Sequence, residues 1–373
     1  MEHSQINVLL IGGTGTLSFA VLNEALKEGY TVSVFNRGNH NDMLPNCVEV
    51  LRGNFYDVNS IKESIGDKQY DVIVDFLSRR PTDIERVYTI LRNRCSQYIF
   101  VSSACVYDRQ PQNLPVTETS PKPNRDWSYN IKKYECEILL NSLSKECSSY
   151  YTIVRPYITY NDRRVPLGVT PIFKYHRTII ERILNEKPMF IWKPDSLTTI
   201  TYTDEFAVGM VGLFLNTKAY NEAFHITSGF CYKTRDVVSE LYRQLGKNLD
   251  VIEIEKADLC KYLPNYRQMM VGDRFMNAVF DNKKIKDTVP SLEFKCDLQK
   301  GISKIIDYYT NLSSYDYDYK YEGQIDRMLA KQGYICKYIR YRNTSGNHRL
   351  TYCVFRYLPY KIAVKLAKVL NLK

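Results

Sequence analysis

The sequence predicts an α/β fold: a doubly wound parallel sheet with a smaller, interwoven C-terminal lobe and a basic C-terminal tail. Three observations point there. Short apolar runs alternate with longer amphipathic ones through the first half of the chain. The first apolar run, "NVLLI", leads directly into Gly12-Gly13-Thr14-Gly15 and then into a helical pattern. After Pro156 the alternation gives way to loops, helices and strand-like returns. Strands separated by helices of crossover length form βαβ units, and their sheet is covered on both faces.

In chain order, the strand candidates are "INVLLIG", "TVSVFN", "VEVLRGN", "DVIVDF", "QYIFVSS" and "YTIVRP". Helical periodicity falls between them over 16–28, 59–66, 82–93 and 128–146. The run "LTTITYTDEFAVGMVGLFL" reads as a further strand-like return and precedes "AFHITSG", with a helix expected over 234–245. The polar, tyrosine-rich stretch "NLSSYDYDYKYEG", 311–323, reads as a linker. The expected division is a dinucleotide-binding domain over 1–155 with returns at about 198–232. A substrate lobe over 156–310 follows, and a linker with a basic amphipathic tail closes the chain over 311–373.

Composition narrows the function classes. A chain of 373 residues, 44% hydrophobic and 25% charged, has the length and apolar content for two lobes with substantial cores. The N-terminus "MEHSQINVLLIGG" lacks the basic, apolar and small-residue succession of a signal peptide, so a cytoplasmic location is expected. The ten cysteines are scattered with no Cys-x-x-Cys pair, which argues against a metal site and a disulfide scaffold. The net charge of +10 is wholly terminal: residues 331–373 hold ten Lys/Arg and no acid. A neutral body argues against a nucleic-acid enzyme, whose basic patch belongs on the body.

A strand, a glycine turn and a helix together can cradle a pyrophosphate: missing Cβ atoms admit the ligand, and the helix N-terminus favours anions. The spacing Gly12-x-x-Gly15-x-x-Ser18 resembles the extended short-chain dehydrogenase/reductase family, the NAD-dependent epimerase/dehydratase group, with Ser18 in place of its third glycine. "YIFVSSACVYD" resembles that family's fifth strand, and "WSYNIKKYECE" supplies its Tyr-x-x-x-Lys. "YTIVRPYITYN" and "TITYTDEFAVGMV", the second similar to the family's later strand-to-helix segment around an Asp, extend the likeness, which spans roughly 6–310. The resemblance implies a Rossmann-type fold and a catalytic set of Ser103, Tyr129 and Lys133. It also implies cofactor contacts from Gly12, Gly15, Thr16, Leu17, Asn54, Tyr129 and Lys133.

The chemistry agrees with that set. Tyr129 and Lys133 lie four apart, hence on one helix face, where an ammonium favours the phenolate. Such a tyrosine can exchange a proton with a sugar hydroxyl while hydride moves to or from a nicotinamide, and Ser103 steadies the same oxygen. At the end of the second strand, Asn36-Arg37 replaces the acid that commonly holds the ribose 2′-hydroxyl. Arg37 can pair with a 2′-phosphate, so NADP(H) is favoured over NAD(H).

The resemblance implies a nucleotide-sugar oxidoreductase of glycan precursor synthesis, with a nucleotide-diphosphate sugar as substrate. A keto-sugar reductase and a 4-epimerase remain open, because both need only the Ser/Tyr/Lys set. A 4,6-dehydratase is an alternative weakened by Ala104-Cys105, which stand where family dehydratases carry Asp-Glu. The other alternative is a non-catalytic dinucleotide- or RNA-binding member of the fold. Arg163, Arg164, Arg177 and Arg274 are candidates for the substrate's phosphates. In the tail, "PYKIAVKLAKVLNLK" places Lys361, Lys365 and Lys368 on one helical face and Ile362, Leu366, Val369 and Leu370 opposite. That pattern suits peripheral contact with an anionic membrane at its inner face. Packing on the body or on a second subunit, as in a homodimer, is the alternative.

Overall fold

The computed structural model describes residues 6–313, 316–340 and 348–372. The chain forms two compact units, the first comprising Met1–Thr159, Thr199–Phe230 and Ala278–Lys295. Its strands are β1 (Asn7–Ile11), β2 (Thr31–Asn36), β3 (Glu49–Arg52), β4 (Tyr70–Asp75), β5 (Cys95–Val101), β6 (Tyr150–Pro156) and β7 (Glu222–Ile226). They build one sheet in the order 3-2-1-4-5-6-7, with every neighbouring pair parallel. The order reverses between β1 and β4, and the crevice outside the C-terminal strand ends at such a reversal is where ligands of these sheets bind.

Period-two alternation along each strand dictates the layers. Val8 and Leu10 of β1 join Val32, Val34, Val72 and Val74 in one core. Helices α1 (Thr16–Lys27) and α5 (Thr203–Val211) cover it. Leu9 and Ile11 point the other way, with Ile73, Tyr98 and Phe100. They pack under α2 (Val58–Ile65), α3 (Pro81–Leu91) and α4 (Ser128–Ser144). The run expected as strand-like after residue 197 differs: apart from two-residue strands at Thr198–Thr199 and Thr201–Tyr202, it is helical over α5. Buried on the sheet and against α1, α5 is apolar on most sides and carries little helical periodicity.

The second unit comprises Tyr160–Thr198, Cys231–Asn277 and Cys296–Lys373. Its strands Met189–Lys193 and Val251–Glu255 pair in parallel. The helix Tyr319–Ala330 packs on their core through Tyr321, Ile325, Met328 and Leu329. The stretch expected as a linker therefore runs into a helix, with Tyr319, Tyr321, Glu322 and Gly323 all buried. Four charges explain why a polar sequence sinks there. Arg182 Nη1 lies 3.0 Å from Glu322 Oε1 and 2.7 Å from Asp326 Oδ1. Lys187 Nζ lies 2.7 Å from both Glu322 Oε2 and Asp326 Oδ2. The helix His348–Tyr357 adds the Tyr352 hydroxyl, which donates to Asp326 Oδ2 at 2.7 Å. That helix crosses closely at Gly323, where a Cβ would fall 2.7 Å from the Tyr352 carbonyl oxygen.

Candidate active site

The glycine turn joins β1 to α1. Gly12 has φ +88°, and a Cβ on it would lie 2.6 Å from Leu77; one on Gly13 would lie 2.6 Å from Val34. Only glycine fits either position. Ser18 caps the helix it enters: its Oγ accepts the Gly15 amide at 3.0 Å. The first intrahelical bond runs from the Phe19 amide to the Gly15 carbonyl. Thr16, Leu17 and Ser18 therefore present first-turn amides with no intrahelical acceptor, an anion cradle at the switch point.

Beside the turn, a cleft of about 340 Å³ is walled by Gly12, Asn36, Arg37, Asn54, Leu77 and Arg79, among others. Asn36 organises its floor, accepting the Gly38 amide at 2.7 Å and donating to Asn41 Oδ1 at 2.9 Å. Asn54 accepts the Tyr56 amide at 3.1 Å, which shapes the loop after β3. Arg37 and Arg79 are exposed at the rim. Among the described residues, the lining of this cleft includes no carboxylate. Arg79 had no place in the sequence reading; its signal was a position just beyond β4, at the lip of a parallel sheet.

Lys133 is buried, and its Nζ donates to the carbonyls of Ser78 and Val101, both at 2.7 Å. Those carbonyls stand just beyond β4 and at the end of β5, so the ammonium is fixed at the crevice edge. Burial pulls its pKa down to about 8, against the opposing pull of Asp75. Two of its three donors are engaged, and one remains. The Ser78 hydroxyl beside it is buried and without a partner among the described residues. Tyr129 sits one turn earlier on α4, half-buried, its ring 4.8 Å from that of Trp127. Ser103 caps the short turn Ala104–Val106, and α4 packs on that turn. Its Oγ accepts the Cys105 amide at 3.2 Å, which leaves the hydroxyl hydrogen to donate elsewhere.

A buried polar chain missed at the sequence level holds this arrangement. Glu137, one turn after Lys133, accepts from Ser102 Oγ at 2.5 Å and from Arg155 Nε at 2.9 Å. Arg155 Nη1 donates to the Tyr107 hydroxyl at 2.7 Å. His225 Nε2 faces the Asp281 carbonyl, which can only accept, so a neutral ring carries its proton there and its Nδ1 accepts from the Tyr107 hydroxyl, 3.2 Å away. Burial holds His225 below its ordinary pKa, in keeping with a neutral ring. Tyr129, Lys133 and Glu137 form one row along α4, anchored to β4, β5 and β6.

The four arginine candidates belong to the second unit and part company. Arg177 is buried, donating to Glu181 Oε1 at 2.8 Å and to the Tyr309 carbonyl at 2.6 Å. Arg163 is exposed, with its guanidinium 5.3 Å from the Tyr308 ring centroid. Arg164 is pulled down to about 10, by burial first and then by the positive charge of Arg274. Arg274 itself pairs with Asp273 at 3.0 Å. Arg177 is held as structure.

The sheet order and the glycine turn define an α/β fold of the Rossmann type. The chain belongs to the NAD-dependent epimerase/dehydratase family, whose pattern it matches over residues 8–223. Its fold is similar to an epimerase from Methanothermobacter thermautotrophicus at TM-score 0.69 and 14% identity, covering 82% of this chain and 92% of that one. It is also similar to the UDP-glucose 4-epimerase of Thermus thermophilus, solved with NAD, at TM-score 0.65 and 16% identity over 82% and 99% of the chains. Among curated proteins it is 25% identical over 259 residues to the chloroplast stem-loop binding protein of 41 kDa b of Arabidopsis thaliana. That match covers 65% of this chain and 64% of the relative's length.

Proposed function

We propose that the protein is an NAD(P)-dependent oxidoreductase of nucleotide-diphosphate sugars, a keto-sugar reductase or a 4-epimerase. The observation that carries this reading is the placement of Lys133: a buried ammonium at the crevice edge, one helical turn from Tyr129, on a helix packed against the Ser103 turn. The residues fit a dinucleotide. The first-turn amides of Thr16 and Leu17 would hold its pyrophosphate, and the Ser78 hydroxyl, without a partner among the described residues, would take one from a ribose. Arg37 at a cleft lined without carboxylates supports NADP(H) over NAD(H).

When bound, the nicotinamide supplies the hydride donor or acceptor. This chain supplies the proton. The Lys133 charge favours the Tyr129 phenolate, which takes a proton from a substrate hydroxyl in oxidation and returns one in reduction. Ser103 donates its hydroxyl hydrogen to the same substrate oxygen and steadies the developing carbonyl. Arg163, Arg164 and Arg274 stay as the candidates for the substrate's diphosphate, since a guanidinium pairs with phosphate oxygens in a bidentate fashion. Elimination of water needs a further acid and base, and Ala104 and Cys105, both buried, offer none of the family's Asp-Glu pair.

The stem-loop binding protein among the relatives favours a second reading, an RNA-binding member without turnover. One experiment separates the two: nicotinamide absorbance with NADPH or NADH and a panel of nucleotide sugars and their 4-keto forms, with stem-loop RNA retention measured in parallel. The expected result is turnover that falls about 10²–10⁴-fold in Tyr129→Phe, with cofactor affinity within a few-fold of the parent. RNA retention with no turnover on any sugar, or full activity in Tyr129→Phe, would overturn the reading.

A further inference from the structure

The terminal helix Tyr360–Val369 is docked the unexpected way round. Its small residues face inward: Ala363 and Ala367 are buried with Val354 and Phe355 of the helix His348–Tyr357. Its bulky aliphatics stay out, with Ile362 53%, Val369 81% and Leu370 45% exposed, while Leu366 is half-buried. A helix serving only as packing would bury its large apolar groups, because stabilisation follows the apolar area removed from water. Lys361, Lys365 and Lys368 are exposed as well; at about 100° per residue they fill a sector that borders the aliphatic one, with Lys365 about 40° from Val369 and about 60° from Ile362. The lysines and the aliphatics keep to separate sectors, and it is the small residues, not the aliphatics, that are buried.

The surrounding segment has the same character. Among the described residues, seven of the fourteen exposed large apolar side chains lie between Tyr334 and Leu370, about a tenth of the chain. The last 43 residues carry ten Lys/Arg and no acid. Among the described residues, no helix is long and apolar enough to cross a membrane. Cations bordering exposed aliphatics match an interface with anionic headgroups outside and acyl chains beneath. On the terminal helix itself the exposed apolar groups are aliphatic, Ile362, Val369 and Leu370, and offer no stacking face to a base; the exposed tyrosines of the segment, Tyr334 and Tyr357, lie outside that helix.

We propose that the outward face of the terminal helix docks on an anionic lipid surface, with Ile362, Val369 and Leu370 entering the acyl boundary and Lys361, Lys365 and Lys368 meeting the headgroups. The test is co-sedimentation of the full chain with vesicles of phosphatidylcholine alone or mixed with phosphatidylglycerol. Two variants accompany it, Ile362→Ser/Val369→Ser and Lys361→Gln/Lys365→Gln/Lys368→Gln. The parent is expected to prefer the anionic vesicles; the triple variant to lose about a hundredfold in affinity for them; the double variant to lose at least about tenfold. All changed positions are exposed, so both variants should keep the parent's melting temperature, measured on the same samples. Absent binding, or binding unchanged in the double variant, overturns the proposal. So does a concentration-dependent dimer that the double variant dissolves without vesicle binding, or retention of stem-loop RNA in its place.

Discussion

Lys133 of the first unit and the Arg182–Lys187 pair of the second are both buried cations, and they are treated oppositely. Arg182 and Lys187 of the second unit meet Glu322 and Asp326, two charges of each sign, closed by the Tyr352 hydroxyl. Burial opposes the charge on Arg182, yet the two carboxylates hold its pKa well above the ordinary value. Burial would likewise raise Asp326, but Arg182 and Lys187 hold it below the usual carboxylate range. Lys133 of the first unit has two carbonyls and, among the described residues, no carboxylate in contact; burial wins and its pKa falls to about 8. Compensated burial fixes structure. Uncompensated burial leaves a charge that a neighbouring anion can relieve, and a Tyr129 phenolate would be such an anion.

The largest effect that could break this comparison is in the compensated cluster. Asp326→Ala leaves two buried cations facing one carboxylate, and breaking a buried pair from one side costs about 3–5 kcal/mol. The expected outcome is a fall of that size in unfolding free energy from a urea titration. A loss under about 1 kcal/mol would mean that water reaches the cluster and that its burial is not what holds the helix Tyr319–Ala330. Replacing all four charges together by apolar residues of similar volume should cost far less than the single change.

Next in size is the titration of Lys133. Its folded pKa, about 8, lies below the ordinary 10.5. Between those values the unfolded chain keeps a proton that the folded chain has released, so stability rises with pH across that window and is flat in this group below it. From pH 7.5 to pH 10 the gain is about 2 kcal/mol. Lys122, also pulled down to about 8 by burial, titrates in the same window. The measurement is therefore a difference: the gain should be smaller by about 2 kcal/mol in Lys133→Met than in the parent. Equal slopes would show that Lys133 is solvated and that the contrast with the compensated cluster is unfounded.

What could be read in advance follows from the range of the interactions. The glycine turn, the alternating strands of the parallel sheet and the Tyr129–Lys133 spacing are local patterns, and the fold they imply is the one observed. The Tyr319–Ala330 helix was misread because its polar residues find partners 135–144 positions away, at Lys187 and Arg182, which no window of sequence displays. The Ser102–Glu137–Arg155–Tyr107–His225 chain was invisible for the same reason. Helix α5 is buried on most sides and so lost the period that identifies a helix; the likeness of "TITYTDEFAVGMV" to a strand-to-helix segment marked it where periodicity did not. The terminal helix was periodic, yet its hydrophobic side is not its buried side, because alanines let the backbones approach and the larger groups turn outward.

The smallest expected effect belongs to a third kind of cation, exposed and free of the desolvation that shapes the other two. Arg37 stands at the rim of the cleft beside β2, in contact with solvent. A charge-assisted bond from such a position to a 2′-phosphate is screened, so Arg37→Ala should lower the preference for NADPH over NADH by about tenfold, roughly 1.4 kcal/mol. Fluorescence titration of both cofactors at low and at physiological salt checks it. The preference should shrink with salt in the parent and respond less in the variant, because an exposed pair weakens as the Debye length shortens. Arg79 lines the same cleft and provides the internal control. If Arg37→Ala leaves discrimination intact while Arg79→Ala removes it, the 2′-phosphate is read from the lip of β4. If neither matters, the cleft distinguishes the cofactors by something other than charge, and the preference for NADP(H) falls with it.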